Sequence, residues 1–315
     1  MELFIEKMIY VLPDKTRTTE EVVKEAGYEP AVADRIKQSG VCSVAMDNDS
    51  LLTMYINQAL KKIKEEVPDI KKRVRYIVFA HSIPFLAPKN VDFMKLCLTG
   101  DEDFQEVPYF ALSGQPCAIF HMGLQVAKYL LMALEGEEKE GVLLIGADKV
   151  YCSDDRIFFN TIMGDSVLCA FVTKNKAGIK ILSSYSNSHV VGYAGEYTPE
   201  DVTAEFRRVN PLNIRNAMET CTRQAGIAMK DVKYIVPHSC NLQLWDSVAV
   251  ISRFPRERIL DRYLHCTGHL NSNDSFVHYL RGIRDGLIQN GDICILVNPG
   301  FGGTRGCTLL QYKGG

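Results

Sequence analysis

The stretch Asp69-Ile-Lys-Lys-Arg-Val-Arg-Tyr-Ile-Val-Phe-Ala-His81-Ser82 has a counterpart in Met229-Lys-Asp-Val-Lys-Tyr-Ile-Val-Pro-His238-Ser239. The two Tyr-Ile-Val runs begin at residues 76 and 234, 158 positions apart, which is about half of the 315-residue chain. Two further apolar runs, around residues 143 and 293, lie 150 positions apart. These offsets predict a tandem pair of similar halves, residues 1–176 and 177–315. Chance similarity between strands rich in Ile and Val is the alternative.

Short apolar runs alternate with longer amphipathic stretches along the whole chain. The apolar runs predict buried strands at 74–80, 142–147, 232–237 and 292–298. The amphipathic stretches predict helices at roughly 52–66, 118–135, 212–228, 241–252 and 274–290. Because strands and helices follow each other in turn, we expect an α/β layered fold with a largely parallel sheet.

Composition excludes several functional classes. Thirty-six basic residues against 38 acidic ones leave a formal charge of −2, which does not suggest a nucleic-acid-binding surface or an acidic tail. The longest apolar runs are far below the roughly 18 residues of a membrane span. The segment Met1–Lys7 lacks the basic start and apolar core of a signal peptide. We therefore expect a soluble protein of the cytoplasm.

Ten cysteines occur, none of them in Cys-x-x-Cys spacing. A zinc or iron–sulfur site would normally show such a pair, and a secreted disulfide framework is uncommon at this length. We therefore predict no metal site and a reducing compartment. Most of the thiols should be buried as small apolar side chains, with one exceptional cysteine among them.

The exceptional cysteine is predicted to be Cys117. In the segment Ser113–Lys128, a Gly and a Pro precede this residue and a strongly helical pattern follows it. The thiol is therefore expected at a strand-to-helix turn, where the positive end of the helix favours the thiolate that a nucleophile requires. A buried cysteine at a tight turn is the structural alternative.

Two histidines are candidates for the base. His238 directly follows a predicted strand and should lie at the carboxyl edge of the sheet, where ligands bind in open α/β folds. Asp274 comes five residues after His269 at a predicted helix start, so it is either a helix cap or the group that orients the ring of His269. In the second case, a cysteine, a histidine and an aspartate would form a nucleophile–base–orienter chain.

A glycine-rich loop, Asn298–Gly306, follows the last predicted strand. Its glycines would let backbone N–H groups approach a ligand closely, as an oxyanion hole requires. Phosphate binding is the competing use. No P-loop and no Gly-x-Gly-x-x-Gly motif occurs, so we do not expect nucleotide binding.

In this order, the motifs resemble those of the β-ketoacyl-acyl-carrier-protein synthase III branch of the thiolase-fold condensing enzymes. The segments that carry the resemblance are Tyr10–Pro13, Thr18–Val22, Cys117-Ala-Ile-Phe120, Gly141–Asp148, Met163-Gly-Asp165, Pro237-His238-Ser-Cys-Asn241-Leu242 and Gly300-Phe-Gly-Gly303. They span nearly the whole chain. The resemblance implies a five-layered α/β/α/β/α fold of two duplicated halves, the first with the nucleophile and the second with the catalytic histidines and the glycine loop. It implies no cofactor.

The family's roles can be carried over to single residues. Cys117 would accept the acyl group, and its N–H together with that of Gly303 (or Gly302, because this loop is short) would hold the oxyanion. His238 matches the family's first catalytic histidine, and Asn241 matches a substrate-binding asparagine.

Two departures from the family pattern are informative. His269 stands where the family has an asparagine that helps to stabilise the enolate formed by malonyl decarboxylation. A histidine there resembles the Cys-His-His set of elongating synthases. The Gly-His-x-x-x-x-Asp pattern also resembles secondary-metabolism enzymes, some of which only transfer an acyl group. Asp34 and Gln38 replace the tryptophan and arginine that grip the adenine of coenzyme A, which makes an acyl carrier protein a plausible donor.

The resulting prediction is a homodimeric acyltransferase that takes an acyl group from a coenzyme A or acyl-carrier-protein thioester and passes it through Cys117 to a small-molecule or carrier-bound acceptor. The pathway would be fatty-acid-like or secondary-metabolite biosynthesis. Three alternatives stay open: a decarboxylative β-ketoacyl synthase, a cysteine hydrolase, and a non-catalytic partner subunit of an active homologue.

Overall fold

The computed structural model of the chain describes residues 1–83, 91–190, 194, 197–239 and 241–314. Its strands are β1 (Leu3–Val11), β2 (Thr16–Thr18), β3 (Ser43–Ala45), β4 (Val74–Ala80), β5 (Tyr109–Leu112), β6 (Gly141–Asp148), β7 (Ile157–Phe158), β8 (Thr161–Ile162), β9 (Ser166–Thr173), β10 (Ile179–Asn187), β11 (Tyr234–Pro237), β12 (Ile293–Pro299) and β13 (Arg305–Gln311). Its α-helices are α1 (Thr19–Glu25), α2 (Pro30–Gln38), α3 (Leu52–Glu66), α4 (Ile70–Arg73), α5 (Phe93–Leu98), α6 (Ile119–Ala133), α7 (Glu200–Ala225), α8 (Leu242–Ser252) and α9 (Asp274–Arg284).

Nine strands form one continuous sheet in the order β11-β12-β13-β10-β1-β9-β6-β4-β5. The antiparallel pair β1–β10 divides it into an N wing (β1-β9-β6-β4-β5) and a C wing (β10-β13-β12-β11). From this pair outward, each wing has two antiparallel pairings followed by a parallel one. The two runs that share Tyr-Ile-Val lie in β4 and β11, which hold equivalent places in the two wings. The duplicated architecture is thereby confirmed, whereas the boundary at residues 176 and 177 stays a prediction.

The expectation of a largely parallel sheet was wrong. In the part of the sheet that the structure describes, only β4–β5, β4–β6 and β11–β12 are parallel. The connection from β12 to β13 is only a few residues long. Since a parallel pairing needs a crossover of a dozen or more residues, this short connection forces an antiparallel pair.

The helices form three layers around the two wings. Helices α6 and α9 lie between the wings, where the rings of Phe120 and Phe276 meet with centroids 4.7 Å apart in the central core. Helix α3 covers the outer face of the N wing, and α7 and α8 cover the outer face of the C wing. The layers are therefore α/β/α/β/α, as the family resemblance predicted, and the fold is that of the thiolases.

The predicted elements are confirmed to different degrees. Strand β4 and helix α3 have the predicted bounds. Helix α7 begins twelve residues before its predicted start, because it continues through Pro211, a residue type that usually breaks a helix. Helix α9 ends at Arg284, short of residue 290, because Gly286 adopts a φ of +72°.

Nine of the ten cysteines lie in the described part of the chain, and all nine are free thiols; six of them are buried. Cys240 lies outside the described residues. No helix among the described residues is long and apolar enough to cross a membrane.

Candidate active site

Cys117 lies two residues before α6 and has a backbone φ of +60°. A non-glycine residue in this left-handed region carries strain on the order of 1 kcal/mol, which the surrounding structure has to hold. The preceding Pro116 is held by the hydroxyl of Thr304, which donates to its carbonyl oxygen at 2.7 Å. A Cβ at Gly300 would lie 1.9 Å from that same oxygen, so only glycine permits the glycine loop to approach the turn. Two residues from the second half of the chain, Gly300 and Thr304, therefore pack against the strained turn and hold it in place.

The sulfur of Cys117 lies 3.3 Å from Nε2 of His269. The other ring nitrogen, Nδ1, is hydrogen-bonded to Oδ2 of Asp274, and all three side chains are more than nine-tenths buried. The structure therefore brings the predicted cysteine, histidine and aspartate into one hydrogen-bonded chain, although Cys117 and His269 are 152 residues apart in sequence.

Asp274 is not a helix cap. It is the first residue of α9, and its carboxylate accepts the N–H groups of Ser239 (3.0 Å) and Leu270 (2.8 Å), both outside that helix. Burial by itself would raise the pKa of Asp274, but the positive charge and hydrogen bond of His269 outweigh burial and hold the pKa at about 2. The carboxylate is therefore charged at neutral pH and accepts a hydrogen bond from Nδ1 of His269.

His269 is positioned by its backbone. Its N–H donates to the carbonyl of Ile162 at 2.8 Å, and its own carbonyl accepts the N–H of Gly164 at 2.9 Å. The preceding Gly268 has a φ of +68°, and a Cβ there would lie 2.7 Å from the carbonyl oxygen of Ile162. The glycine is needed because any side chain at 268 would push this segment away from the strand residues that fix the ring.

His238 lies directly after β11, and its N–H donates to the carbonyl of Val297 in β12 at 3.1 Å. Its ring stands perpendicular to that of His269, with centroids 5.4 Å apart. Burial, reinforced by the nearby charge of His269, lowers the pKa of His238 to about 3. The ring is therefore neutral at physiological pH and can offer one donor and one acceptor. As expected, it lies at the carboxyl edge of the sheet.

Asn241 and Gly303 are the remaining predicted site residues. Asn241 is the N-cap of α8, where its Oδ1 accepts the N–H of Gln243 at 2.8 Å, and it also lines the cavity described below. Gly303 is buried with a φ of +86°, and a Cβ there would lie 3.0 Å from the Cβ of His189. In the described part of the chain, Gly300 and not Gly303 lines that cavity. The oxyanion role of Gly303 stays a prediction.

Sequence analysis missed the residues that hold the segments of Cys117 and His238 in place. The backbone N–H of Cys117 donates to Oγ of Ser82 at 3.1 Å, so the predicted oxyanion donor already has a partner in this structure. The N–H of Ser82 donates in turn to the fully buried Asp148 at 2.7 Å, and burial raises the pKa of that carboxyl to about 7. Ser82 and Ser239 are equivalent in the internal repeat, and each donates its N–H to a buried aspartate. The repeat was the signal that could have revealed Ser82.

His278 was also missed. One turn after Asp274 on α9, its ring bonds Oγ of Ser239 (3.3 Å) through Nε2 and the carbonyl of Pro237 (3.0 Å) through Nδ1. Pro237 and Ser239 flank His238, so His278 holds the chain on both sides of that residue. No motif in the sequence indicates this contact.

A cavity of about 260 Å³ opens beside the rings of His238 and His269 and the thiol of Cys117. Its apolar wall consists of Phe158, Phe159, Phe206, Leu244 and Pro299. Polar groups come from one face of α7 (Thr203, Arg207, Asn210) and from Asn160, Thr161 and Asn241. Such a cavity suits a mainly apolar group with a few polar atoms.

Asp34 and Gln38 are exposed on α2 and provide no aromatic surface for an adenine ring.

Several known proteins are similar to this chain in sequence or in fold. Residues 222–312 match the family model of the 3-oxoacyl-[acyl-carrier-protein] synthase III C terminal. The β-ketoacyl-[acyl-carrier-protein] synthase III 1 of Bacillus cereus is 27% identical over 201 residues, which are 62% of this chain and 64% of that relative. The aligned part therefore spans less than two thirds of the relative's length.

Two solved structures share the fold. The 3-oxoacyl-[acyl-carrier-protein] synthase III of Aquifex aeolicus has a TM-score of 0.81 at 19% identity, covering 98% of this chain and all of that one. The acyltransferase ChlB3 has a TM-score of 0.81 at 17% identity, covering 99% of this chain and 98% of that one. The duplicated five-layered architecture, shared with these two structures, is the thiolase fold. Within that fold, the chain is similar to the synthase III condensing enzymes, through residues 222–312 and through the Bacillus cereus relative.

Proposed function

We propose that the protein transfers an acyl group from a thioester donor to an acceptor without decarboxylation, through an acyl thioester on Cys117. The observation that carries this proposal is the chain from the Cys117 sulfur through both nitrogens of His269 to Asp274. A charged, buried carboxylate behind the ring supports general-base chemistry on a hydroxyl, amine or thiol acceptor.

In the first half-reaction, His269 accepts the proton of the Cys117 thiol, and the thiolate attacks the carbonyl carbon of the donor thioester. The new S–C bond forms while the donor's S–C bond breaks, and the departing thiolate takes the proton from His269. In the second half-reaction, His269 removes a proton from the acceptor, which attacks the acyl carbon. The bond between that carbon and the sulfur of Cys117 breaks, and the released thiolate takes the proton from His269. We assign the neutral His238 to a hydrogen bond with the acyl oxygen, and the N–H of Cys117, once Ser82 is displaced, to the oxyanion.

The donor is proposed to be an acyl-coenzyme A or an acyl carrier protein, with the carrier protein favoured by the exposed, non-aromatic Asp34 and Gln38. The acyltransferase ChlB3 shares the fold, which is consistent with simple transfer. We also propose a cytoplasmic homodimer, by analogy with the family. The non-catalytic partner subunit is disfavoured, because such a subunit has no need for a buried, strained cysteine hydrogen-bonded to a histidine.

A decarboxylative β-ketoacyl synthase is the second candidate. It is favoured by the pair of histidine rings, His238 and His269, 5.4 Å apart around the thiol, and by the names of the curated relatives. Both candidates share the acyl-enzyme. They differ in whether a malonyl thioester loses carbon dioxide.

Intact-protein mass spectrometry after incubation with a panel of acyl-coenzyme A and acyl-carrier donors tests the shared step. We expect one acyl mass on the wild type and on Cys42→Ala, which removes an exposed free thiol, and none on Cys117→Ala. The purified acyl-enzyme is then given ¹⁴C-carboxyl-labelled malonyl thioester. Simple transfer predicts no labelled carbon dioxide, whereas stoichiometric release with a β-keto product would replace our proposal with the synthase. Rapid loss of the acyl group to water alone would favour the hydrolase.

A further inference from the structure

A second cavity, of about 380 Å³, lies between α7 and the C wing. Val202, Phe206 and Val209 of α7 form its apolar wall, and Arg305, the first residue of β13, lies at its base. We call it the Arg305 cavity. It lies beside the cavity at Cys117, because Phe206 lines both and because Arg305 is paired across the sheet with Pro299, which lines the first.

The side chain of Arg305 is directed toward α7 by the alternation of the strand. The next residue, Gly306, faces the opposite side, where its added Cβ would lie 2.3 Å from the ring of His121 in α6. Cys307 faces α7 again, where it packs in one buried cluster with Met218 and Cys221 of that helix. Since side chains alternate along a strand, Arg305 shares the α7 face with Cys307.

Arg305 is only 8% exposed, yet no carboxylate pairs with it among the residues that the structure describes. Its Nε atom is fully buried without a hydrogen-bond partner. Burial also lowers the pKa of this guanidinium. An unpaired buried charge is strongly unfavourable, so such a group calls for an anion that the protein itself does not supply.

We propose that the Arg305 cavity binds a small oxyanion, a carboxylate or a phosphate, with the guanidinium of Arg305 as its counterion. The planar guanidinium presents donors in a geometry that matches both groups. Val202, Val209 and Phe206 would pack against the apolar part of an organic acid. The carboxylate of Glu205 also lines the cavity, 4.0 Å from the guanidinium of Arg208, and opposes the entry of an anion. This inference does not depend on the acyl-transfer reaction.

Thermal unfolding in the presence of anions tests the proposal. Sodium phosphate, acetate and butyrate at tens of millimolar are compared with sodium chloride at equal ionic strength. We expect at least one of the three anions to raise the Tm of the wild type by about 2 °C or more. None of the three should raise the Tm of Arg305→Met. Arg223→Met removes one exposed positive charge from the far end of α7 and should keep the full response. Phosphate alone would identify a phosphate site, and a larger shift with butyrate than with acetate would identify an organic acid.

A second variant keeps the test decisive if Arg305→Met does not fold. Val209→Glu places a carboxylate in the same cavity while leaving Arg305 intact. It should raise the Tm in chloride and abolish the response to anions, because the guanidinium then has an internal partner. Glu205→Gln should strengthen the response. Equal responses in the wild type and Val209→Glu, or no response in the wild type, would overturn the proposal.

Discussion

Nε2 of His269 lies 3.3 Å from the sulfur of Cys117, while Nδ1 of the same ring is bound to Asp274. Because a carboxylate only accepts hydrogen bonds, the proton of the neutral ring is assigned to Nδ1. Nε2 is then left as the acceptor for the thiol proton. The same ring is therefore in contact with the nucleophile, and it can serve both half-reactions of an acyl transfer.

Asp274→Asn should slow both half-reactions, on the order of 10²-fold. The carboxylate accepts from His269, Ser239 and Leu270, whereas an amide has only one oxygen and would turn an N–H toward one of these donors. Stopped-flow acylation and transfer to N-acetylcysteamine measure the two rates. Asp285→Asn, at the other end of α9, is the control and should leave both rates nearly unchanged. An Asp274→Asn enzyme with normal rates would remove Asp274 from the mechanism.

At position 117, glycine should be more stable than alanine by about 1 kcal/mol, although neither variant can be acylated. The reason is the φ of +60°, which glycine adopts without strain. At Cys169, a buried cysteine in β9, the order should be reversed, because glycine weakens a strand. Urea unfolding of the four variants measures both differences. Greater stability of Cys117→Ala than of Cys117→Gly would mean that no strain is held at the nucleophile.

His278→Phe should lower kcat by about tenfold or more and leave KM nearly unchanged. The ring of His278 holds Pro237 and Ser239, so its loss would let His238 shift relative to the thiol without altering the cavity wall. Steady-state kinetics separate the two constants. His265→Phe is a matched control, since that ring also bonds a backbone carbonyl, of Gly40, but does not hold the residues that flank His238. Equal effects of the two variants would indicate only a structural role for His278.

Acid should destabilise the protein through His238. Its pKa is about 3 in the folded state against 6.5 as the ordinary value, mainly because of burial. Below pH 6.5 the unfolded chain therefore binds a proton that the folded chain does not, and stability is lost as the pH falls from 6.5 toward 3. The free energy of unfolding of the wild type should fall relative to that of His238→Asn by about 1.4 kcal/mol per pH unit in this range. Parallel pH profiles from urea unfolding would contradict a neutral, buried His238.

Sequence patterns predicted the local elements well where burial is periodic. Helix α3 and strand β4 have the predicted bounds, and the internal repeat identified equivalent strands in the two wings. The patterns were less reliable at Pro211, where packing of α7 on the C wing overrides the tendency of proline to end a helix. They also gave the wrong strand directions, because apolar runs look alike in parallel and antiparallel sheets.

The sequence by itself determined that Cys117 precedes a helix, that His238 follows a strand, and that His269 and Asp274 are close enough to interact, because each of these is a property of neighbouring residues. Only the tertiary structure decided that Ser82 occupies the N–H of Cys117, that His278 holds the loop of His238, and that Arg305 is buried without a carboxylate partner among the described residues. These contacts join positions 35 or more residues apart or depend on the packing of α7 on the sheet. Periodicity specifies which side chains are buried, but the folding of the two wings around α6 and α9 decides which of them meet.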